Sequence, residues 1–182
     1  MDATTSHERP VFPMRVNIGP EQWVSIRPIE RADASALSDF YARLSPESRR
    51  RRFLSCGGAP IPLVRRLAAA PGFVGILREP GPLDGAIVAH ATLLPDAPGS
   101  VEVAFTVADE VQGRGLGKRL VAMVLERARS LRVGRVTATM LVENAPMHHL
   151  LVGAGYAILA DRIDAGVEEI VLDSGAARSV AA

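Results

Sequence analysis

Cysteine is almost absent from this sequence, because Cys56 is the only one among 182 residues. A single thiol excludes a disulfide within the chain and a zinc site built on four cysteines. No metal cofactor is therefore expected, and a reducing, cytoplasmic setting fits this cysteine usage best. Cys56 itself is expected to be a small, buried hydrophobic side chain rather than a nucleophile.

Long apolar runs and a strong net charge are also lacking. No uninterrupted apolar stretch reaches about 18 residues, so a membrane span is not expected. Residues Met1–Arg15 lack the apolar segment of a secretory signal. The formal net charge is only +1 and aromatic residues make up 4% of the chain, which does not suit a broad surface for polyanions. Neither a nucleic-acid partner nor a membrane partner is expected.

The length and the composition indicate one compact domain. The chain is 48% hydrophobic and 23% charged, as in globular proteins that bury a single apolar core. Residues 1–20 mix proline, glycine and charge without a period, and we expect a flexible N-terminal arm there. The folded domain is expected over residues 21–173, and a disordered tail over residues 174–182.

Apolar periodicity predicts an α/β (α+β) fold, with a mixed, mostly antiparallel twisted sheet flanked by helices. Asp33 and Ser45 are expected to cap the first two helices. Strands are predicted at Trp23–Ile29, Phe73–Arg78, Gly85–Leu94, Val101–Val107, Val136–Val142, Tyr156–Ile163 and Val167–Leu172. Helices are predicted from Ala34 to Leu44, from Ser45 onward, at Pro62–Ala70, over residues 116–133 and from Asn144 to Val152.

A glycine-rich loop, residues 112–117, joins a predicted strand to a predicted helix. Its sequence is Gln-Gly-Arg-Gly-Leu-Gly. Glycines let a ligand approach the backbone, and free N–H groups at a helix start favour phosphate. Arg114, Lys118 and Arg119 add positive charge locally. The spacing fits neither a P-loop nor a dinucleotide fold. On the glycines alone, a tight turn without a ligand explains the loop equally well.

With its neighbours, the loop resembles the acetyl-CoA-binding core of the GNAT superfamily of N-acetyltransferases. The hallmark Q/R-x-x-G-x-G/A is met by Gln112, Gly115 and Gly117, and the later Asn and Gly-aromatic positions by Asn144 and Gly155-Tyr156. The resemblance implies acetyl-CoA as co-substrate and a single GNAT-like domain with a central βαβ acyl-CoA site. The cofactor-binding residues that it implies are Phe105, Thr106, Val107, Gln112, Gly113, Arg114, Gly115, Leu116, Gly117, Lys118 and Asn144.

Four segments also resemble the catalytic domain of bacterial Pat-type protein lysine acetyltransferases: residues 24–29, 44–53, 101–105 and 143–147. This narrower resemblance implies transfer of an acetyl group to a protein lysine, for example of an acyl-CoA synthetase. It also implies that Glu102 is the catalytic general base. Strand alternation places Glu102 on one face with Ala104 and Thr106. A solvated strand carboxylate is the alternative interpretation of Glu102.

Two other functions remain open at this stage. An acetyltransferase for a small amine or an amino acid fits the same core, because acceptor loops diverge easily. A non-catalytic acyl-CoA-binding sensor is suggested by Leu151, which stands where many family members have a tyrosine that acts as general acid. His148 or His149 is an alternative proton donor, and at most one of them can face the cleft.

The run Arg49–Arg52 has two interpretations as well. It could recognise an acidic protein surface near a target lysine, or it could be a solvated helix face. The expected partners are acetyl-CoA and either a protein lysine or a small amine. The expected oligomeric state is a monomer or a homodimer.

Overall fold

A computed structural model describes residues 12–55 and 60–175, so the expectation for Cys56 lies outside the described residues. The described part contains eight strands and five α-helices. The strands are β1 (Met14–Gly19), β2 (Gln22–Pro28), β3 (Gly72–Arg78), β4 (Ile87–Pro95), β5 (Ser100–Val107), β6 (Arg135–Leu141), β7 (Ile158–Asp164) and β8 (Val167–Asp173). The helices are α1 (Ala34–Arg43), α2 (Pro46–Phe53), α3 (Ile61–Ala69), α4 (Leu116–Ser130) and α5 (Ala145–Val152).

All eight strands form one open sheet in the order β1-β2-β3-β4-β5-β6-β8-β7. Every neighbouring pair is antiparallel except β5 and β6, which run parallel. Parallel neighbours need a crossover connection, and α4 supplies it. The predicted mixed, mostly antiparallel sheet with a central βαβ unit is therefore confirmed.

The helices pack on both faces of the sheet. Arg119 of α4 reaches Met14 Sδ at 3.0 Å, and the strand register places Met14 on the same face as Val107. Tyr41 of α1 contacts His90, which pairs with Thr106 and so lies on the opposite face. This arrangement buries β4 on both sides, and Ile87–Leu93 are all buried.

The first two helices begin differently from one another. Ser45 caps α2 as predicted, because its Oγ accepts a hydrogen bond from the N–H of Ser48 at 3.1 Å. Asp33 does not cap α1 with its side chain. Its carboxylate instead binds the Arg27 guanidinium through two hydrogen bonds of 2.6 and 2.8 Å. Asp33 thus occupies the predicted N-cap position of α1, but its side chain makes no capping bond to this helix, because a charged partner on β2 takes up the carboxylate.

Strand β1 lies inside the segment that was expected to be a flexible arm. Met14–Gly19 pairs antiparallel with β2 and forms one edge of the sheet. Met14, Val16 and Ile18 alternate with polar residues, and Ile18 is buried. For these residues the expected arm was wrong, because the alternating side chains add a strand to the core.

The other end of the domain also extends past its expected boundary. Ser174 is fully buried, and its hydroxyl donates to the carbonyl of Val133. Its backbone N–H donates to the carbonyl of Gly134 at 3.2 Å. Ser174 was expected in the disordered tail, but these bonds attach it to the loop after α4.

Helix α4 ends at Ser130 rather than at residue 133, since Arg132 has a left-handed φ of 57°.

Candidate functional site

The parallel pair β5–β6 opens part-way along its length. The two strands are paired only from Ser100 with Arg135 to Glu102 with Thr137. Both continue beyond that point, β5 to Val107 and β6 to Leu141. The edge of β5 that faces β6 is therefore left without a strand partner after Glu102. An extended ligand can pair with backbone groups on such an edge.

A cleft of about 540 Å³ lies at this opening, within the size range of small-molecule sites. Its walls come from α2, the end of β5, the glycine-rich loop with the start of α4, and α5. The lining residues are Ser48, Arg51, Arg52, Phe105, Thr106, Val107, Val111, Gln112, Gly113, Gly115, Leu116, Gly117, Lys118, Asn144, Pro146, Met147, His149 and Leu150.

The glycine-rich loop delivers the first turn of α4 to this cleft. Gly113 and Gly115 have φ values of 73° and 81°, a region that side chains disfavour. The first turn of α4 contains no acidic residue, although the dipole favours one there. Lys118 lies in that turn and lines the cleft. Free N–H groups, the dipole and Lys118 are together an arrangement that favours an anion such as phosphate.

Asp109 and Gln112 tie this loop to α2. The Asp109 carboxylate accepts hydrogen bonds from Ser45 N–H, Ser45 Oγ and Ser48 Oγ at 2.9, 2.8 and 2.7 Å. Gln112 Nε2 donates to the carbonyl of Val107 at 2.9 Å and to Ser48 Oγ at 3.3 Å. Partial burial opposes ionisation, but the bonds from Ser45 and Ser48 outweigh it and lower the pKa of Asp109.

Residues 34–156 match the acetyltransferase (GNAT) family. The chain belongs to that family. This chain is 30% identical over 146 residues to acetyltransferase Pat of Mycolicibacterium smegmatis. The aligned region covers 78% of this chain and 43% of that protein. It therefore spans less than half the length of this relative.

Solved structures agree with the family assignment. The GNAT domain of S. lividans PAT is 26% identical to this chain and superposes with a TM-score of 0.71. The match covers 83% of this chain and 90% of the PAT domain. A putative acetyltransferase, yncA of Salmonella typhimurium, described with its cofactor acetyl-CoA, shares the fold at 17% identity and a TM-score of 0.63. That match covers 82% of this chain and 91% of the yncA chain. The chain accordingly has a GNAT-like domain.

Most residues predicted to bind the cofactor are brought together in the acetyltransferase. All of them line the cleft except Arg114. The Arg114 guanidinium donates to Gln22 Oε1 at 2.6 Å, so it points toward β2. Asn144 lines the cleft and also caps α5, because its Oδ1 accepts from the N–H of Met147 at 3.4 Å. This cap is compatible with the cofactor-binding role that the family resemblance implies for Asn144.

Glu102 lies at the base of the opening, in the last paired position between β5 and β6. Its side chain is half-buried and has no hydrogen bond or ion pair within residues 12–55 and 60–175. It does not line the cleft. Thr106, four residues further along the same face, does line it, and this spacing is about 13 Å in a strand.

The two histidines of α5 have different surroundings, although their ring centroids lie only 5.9 Å apart. His149 lines the cleft and is exposed. His148 turns away from it, and its Nδ1 lies 2.7 Å from Oε1 of the buried Glu168 on β8. Leu151 is fully buried in the core, so the position where many family members carry tyrosine does not reach the cleft here.

Helix α2 contributes cleft residues that sequence reasoning had not placed at the site. Ser48 and Arg52 line the cleft, and Ser45 lies on the same side of the helix. The spacing of three and four residues between these positions was the available signal. Arg51 lines the cleft too, although it also binds Glu47 at 2.7 Å.

A buried polar pair lies beneath α2. Tyr41 Oη and His90 Nδ1 are 2.8 Å apart, and both side chains are almost fully buried. Burial, assisted by the nearby Arg52 charge, lowers the pKa of His90 to about 3. Burial raises the pKa of Tyr41, against the influence of Arg52. Both groups are therefore neutral at pH 7.

Among the described residues, no helix has the length and apolar character needed to span a bilayer.

Proposed function

We propose that this acetyltransferase moves the acetyl group of acetyl-CoA to a lysine side chain of a protein. The observation that carries the proposal is the opening between β5 and β6, with a phosphate-binding helix start at one end and Glu102 at the other. Likeness to Pat proteins over most of this chain supports the protein acceptor. The single cysteine supports a cytoplasmic setting.

In the proposed complex, the loop holds the pyrophosphate of acetyl-CoA and the open edge of β5 holds its pantetheine arm. The loop donors are the N–H groups around Gly113–Gly117, together with Lys118. Backbone groups of Phe105–Val107 face the opening, and an N–H among them would stabilise the oxyanion as it forms. Arg114 has no direct part in this proposal, because it is hydrogen-bonded to Gln22.

Glu102 is the proposed general base. A lysine amine has a pKa near 10.4 and arrives as ammonium, which has no free electron pair for attack. Glu102 has an unpaired carboxylate at the base of the opening but does not line the cleft. We therefore propose that it takes the proton through a water molecule. The neutral amine then attacks the thioester carbonyl, and the tetrahedral intermediate breaks its C–S bond and expels CoA thiolate. The amide nitrogen loses its remaining extra proton to solvent.

The experiment follows thiol release from acetyl-CoA with an acyl-CoA synthetase in one series and small amines in another. Release with the synthetase, together with an acetyl-lysine mass shift on it, is the expected result. Release with small amines alone would reassign the acceptor to that class. Tight acetyl-CoA binding without release in either series would contradict catalysis and favour a sensor.

A further inference from the structure

One face of α2 points into the cleft. Ser48 lies on it and is bound to the loop through Asp109 and Gln112. Arg52 follows one helical turn later and lines the same cleft as Thr106. The loop thus fixes the first turn of α2, and the helix carries a guanidinium to the strand face that also holds Glu102.

Arg52 differs from the two arginines before it. Arg50 binds Glu47 and Glu143, and Arg51 binds Glu47. Arg52 has no carboxylate within 4.0 Å in residues 12–55 and 60–175. Its guanidinium carbon lies 5.2 Å from the centroid of the Phe53 ring. The charge is therefore packed against an aromatic ring and lacks a counter-ion.

Two nitrogens of this guanidinium are buried without a hydrogen-bond partner among the described residues, Nε and Nη2. These two atoms form one edge of the group, and that edge donates two parallel hydrogen bonds to a carboxylate. The Thr106 hydroxyl is also buried and without a partner within the described residues. Burying such donors is unfavourable unless a ligand or water accepts from them.

This edge and the proposed pyrophosphate site line the same cleft but lie toward opposite faces of the sheet. Thr106 pairs with His90 beneath α1, whereas α4 and its first turn pack on the opposite face. The cleft joins the two faces through the opening between β5 and β6. In direct transfer the amine must approach the thioester from a side that CoA does not occupy. The α2 side of the cleft, where Arg52 lies, is such a side.

We propose that Arg52 and Thr106 form a carboxylate-binding subsite for the acceptor. This inference rests on the proposed function and narrows the acceptor to amines that carry a carboxylate close by. The carboxylate belongs either to an amino acid itself or to an acidic side chain next to a protein lysine. In both cases it accepts two hydrogen bonds from Arg52 and one from Thr106.

The test measures acceptor binding without turnover, so it gives a result even if the protein does not transfer acetyl groups. The CoA-saturated protein is titrated calorimetrically with Nα-acetyl-lysine and with its N-methylamide, which lacks the carboxylate. A parallel pair of end-capped peptides carries glutamate or alanine beside the lysine. We expect at least one acid to bind about 10- to 100-fold more tightly than its neutral counterpart, as for a charge-assisted pair. A difference between Nα-acetyl-lysine and its N-methylamide would assign the carboxylate to an amino acid itself. A difference between the two peptides would assign it to an acidic side chain beside a protein lysine.

Arg52→Met should abolish this difference and leave the affinity for CoA unchanged. Arg52→Lys keeps the charge without the paired donors, and it should retain only part of the difference. Arg49→Met is the matched control on the same helix, because Arg49 does not line the cleft. It should keep the full difference. A far-ultraviolet spectrum and a melting curve establish that each variant is folded.

Three results would overturn the proposal. The first is that neither acid binds the wild-type protein more tightly than its neutral counterpart. The second is that the difference survives in Arg52→Met. The third is that Arg52→Met weakens CoA binding instead, which would assign the guanidinium to a phosphate of CoA.

Discussion

At the scale of single residues, Glu102 is the group on which the proposed chemistry depends. Glu102→Gln removes the base with little change in shape, so it should slow turnover by about 10²–10⁴-fold near neutral pH. Acetyl-CoA affinity should stay the same, because Glu102 does not line the cleft. Steady-state kinetics and calorimetry measure the two effects. Glu110→Gln changes an exposed carboxylate and serves as control. Wild-type turnover in Glu102→Gln would place the base elsewhere.

His90 should make the folded state sensitive to acid. Its folded pKa of about 3 is below the ordinary value of 6.5. As pH falls below 6.5, the unfolded chain binds a proton at this position and the folded protein does not. Stability is therefore full above pH 6.5, and this residue lowers the free energy of unfolding by about 1.4 kcal/mol per pH unit below it.

Urea unfolding at pH 7, 6 and 5 tests this contribution. His90→Asn retains a hydrogen-bond acceptor for Tyr41 but does not titrate, so its stability should fall less steeply with pH. Asp33 interacts electrostatically with His90, but its lowered carboxyl pKa and that of Asp109 keep both groups ionised from pH 7 to pH 5. Parallel pH profiles for the two proteins would contradict the assignment to His90.

At the scale of elements, the glycine-rich loop makes the most direct prediction. Gly115→Glu places a carboxylate at the start of α4, where the site is arranged for phosphate, and acetyl-CoA binding should be lost. Gly99→Glu is a matched control, because its φ of 74° resembles the 81° of Gly115 and both positions have open space around them. Both variants carry similar backbone strain of about 1–2 kcal/mol. Normal acetyl-CoA affinity in Gly115→Glu would refute the loop assignment.

Helix α2 depends on Asp109 for its position beside the loop. Asp109→Ala removes three hydrogen bonds to Ser45 and Ser48, and it should lower the free energy of unfolding by about 1–3 kcal/mol. The KM for acetyl-CoA should rise as well, because Gln112 shares Ser48 with this network. Denaturant unfolding and kinetics measure these changes. Asp39→Ala alters an exposed carboxylate on α1 and should change neither quantity.

Local patterns explain why much of the fold could be predicted from the sequence. The Ser45 cap, the glycine-rich loop and the meander are each encoded within a few adjacent residues. Strand β1 was missed although Met14, Val16 and Ile18 alternate in the sequence, because nearby proline and glycine indicated a loop. Arg52 could not be distinguished from Arg49–Arg51 by composition. Its special position depends on Tyr41, His90 and Thr106, which are distant in sequence.

At the scale of the whole molecule, the narrow join between β5 and β6 should govern dynamics. Strands β1–β5 and strands β6–β8 are paired with each other only through Ser100–Glu102 and Arg135–Thr137. Beyond this join, the amide groups of β5 and β6 that face the opening, rather than β4 or β8, should exchange with solvent readily in the free protein. Adding CoA should slow exchange at Phe105–Val107, and mass spectrometry of peptides can follow this change. Unchanged exchange there under saturating CoA would argue against ligand pairing with β5.

The same opening makes the ligand a temporary part of the architecture. If the pantetheine arm pairs with the free edge of β5, the sheet gains hydrogen bonds that its own sequence does not supply. Each catalytic cycle then completes the sheet when acetyl-CoA arrives and takes that completion apart when CoA departs. The release of product then breaks the hydrogen bonds between the ligand and β5, a local loss of pairing along one edge of that strand.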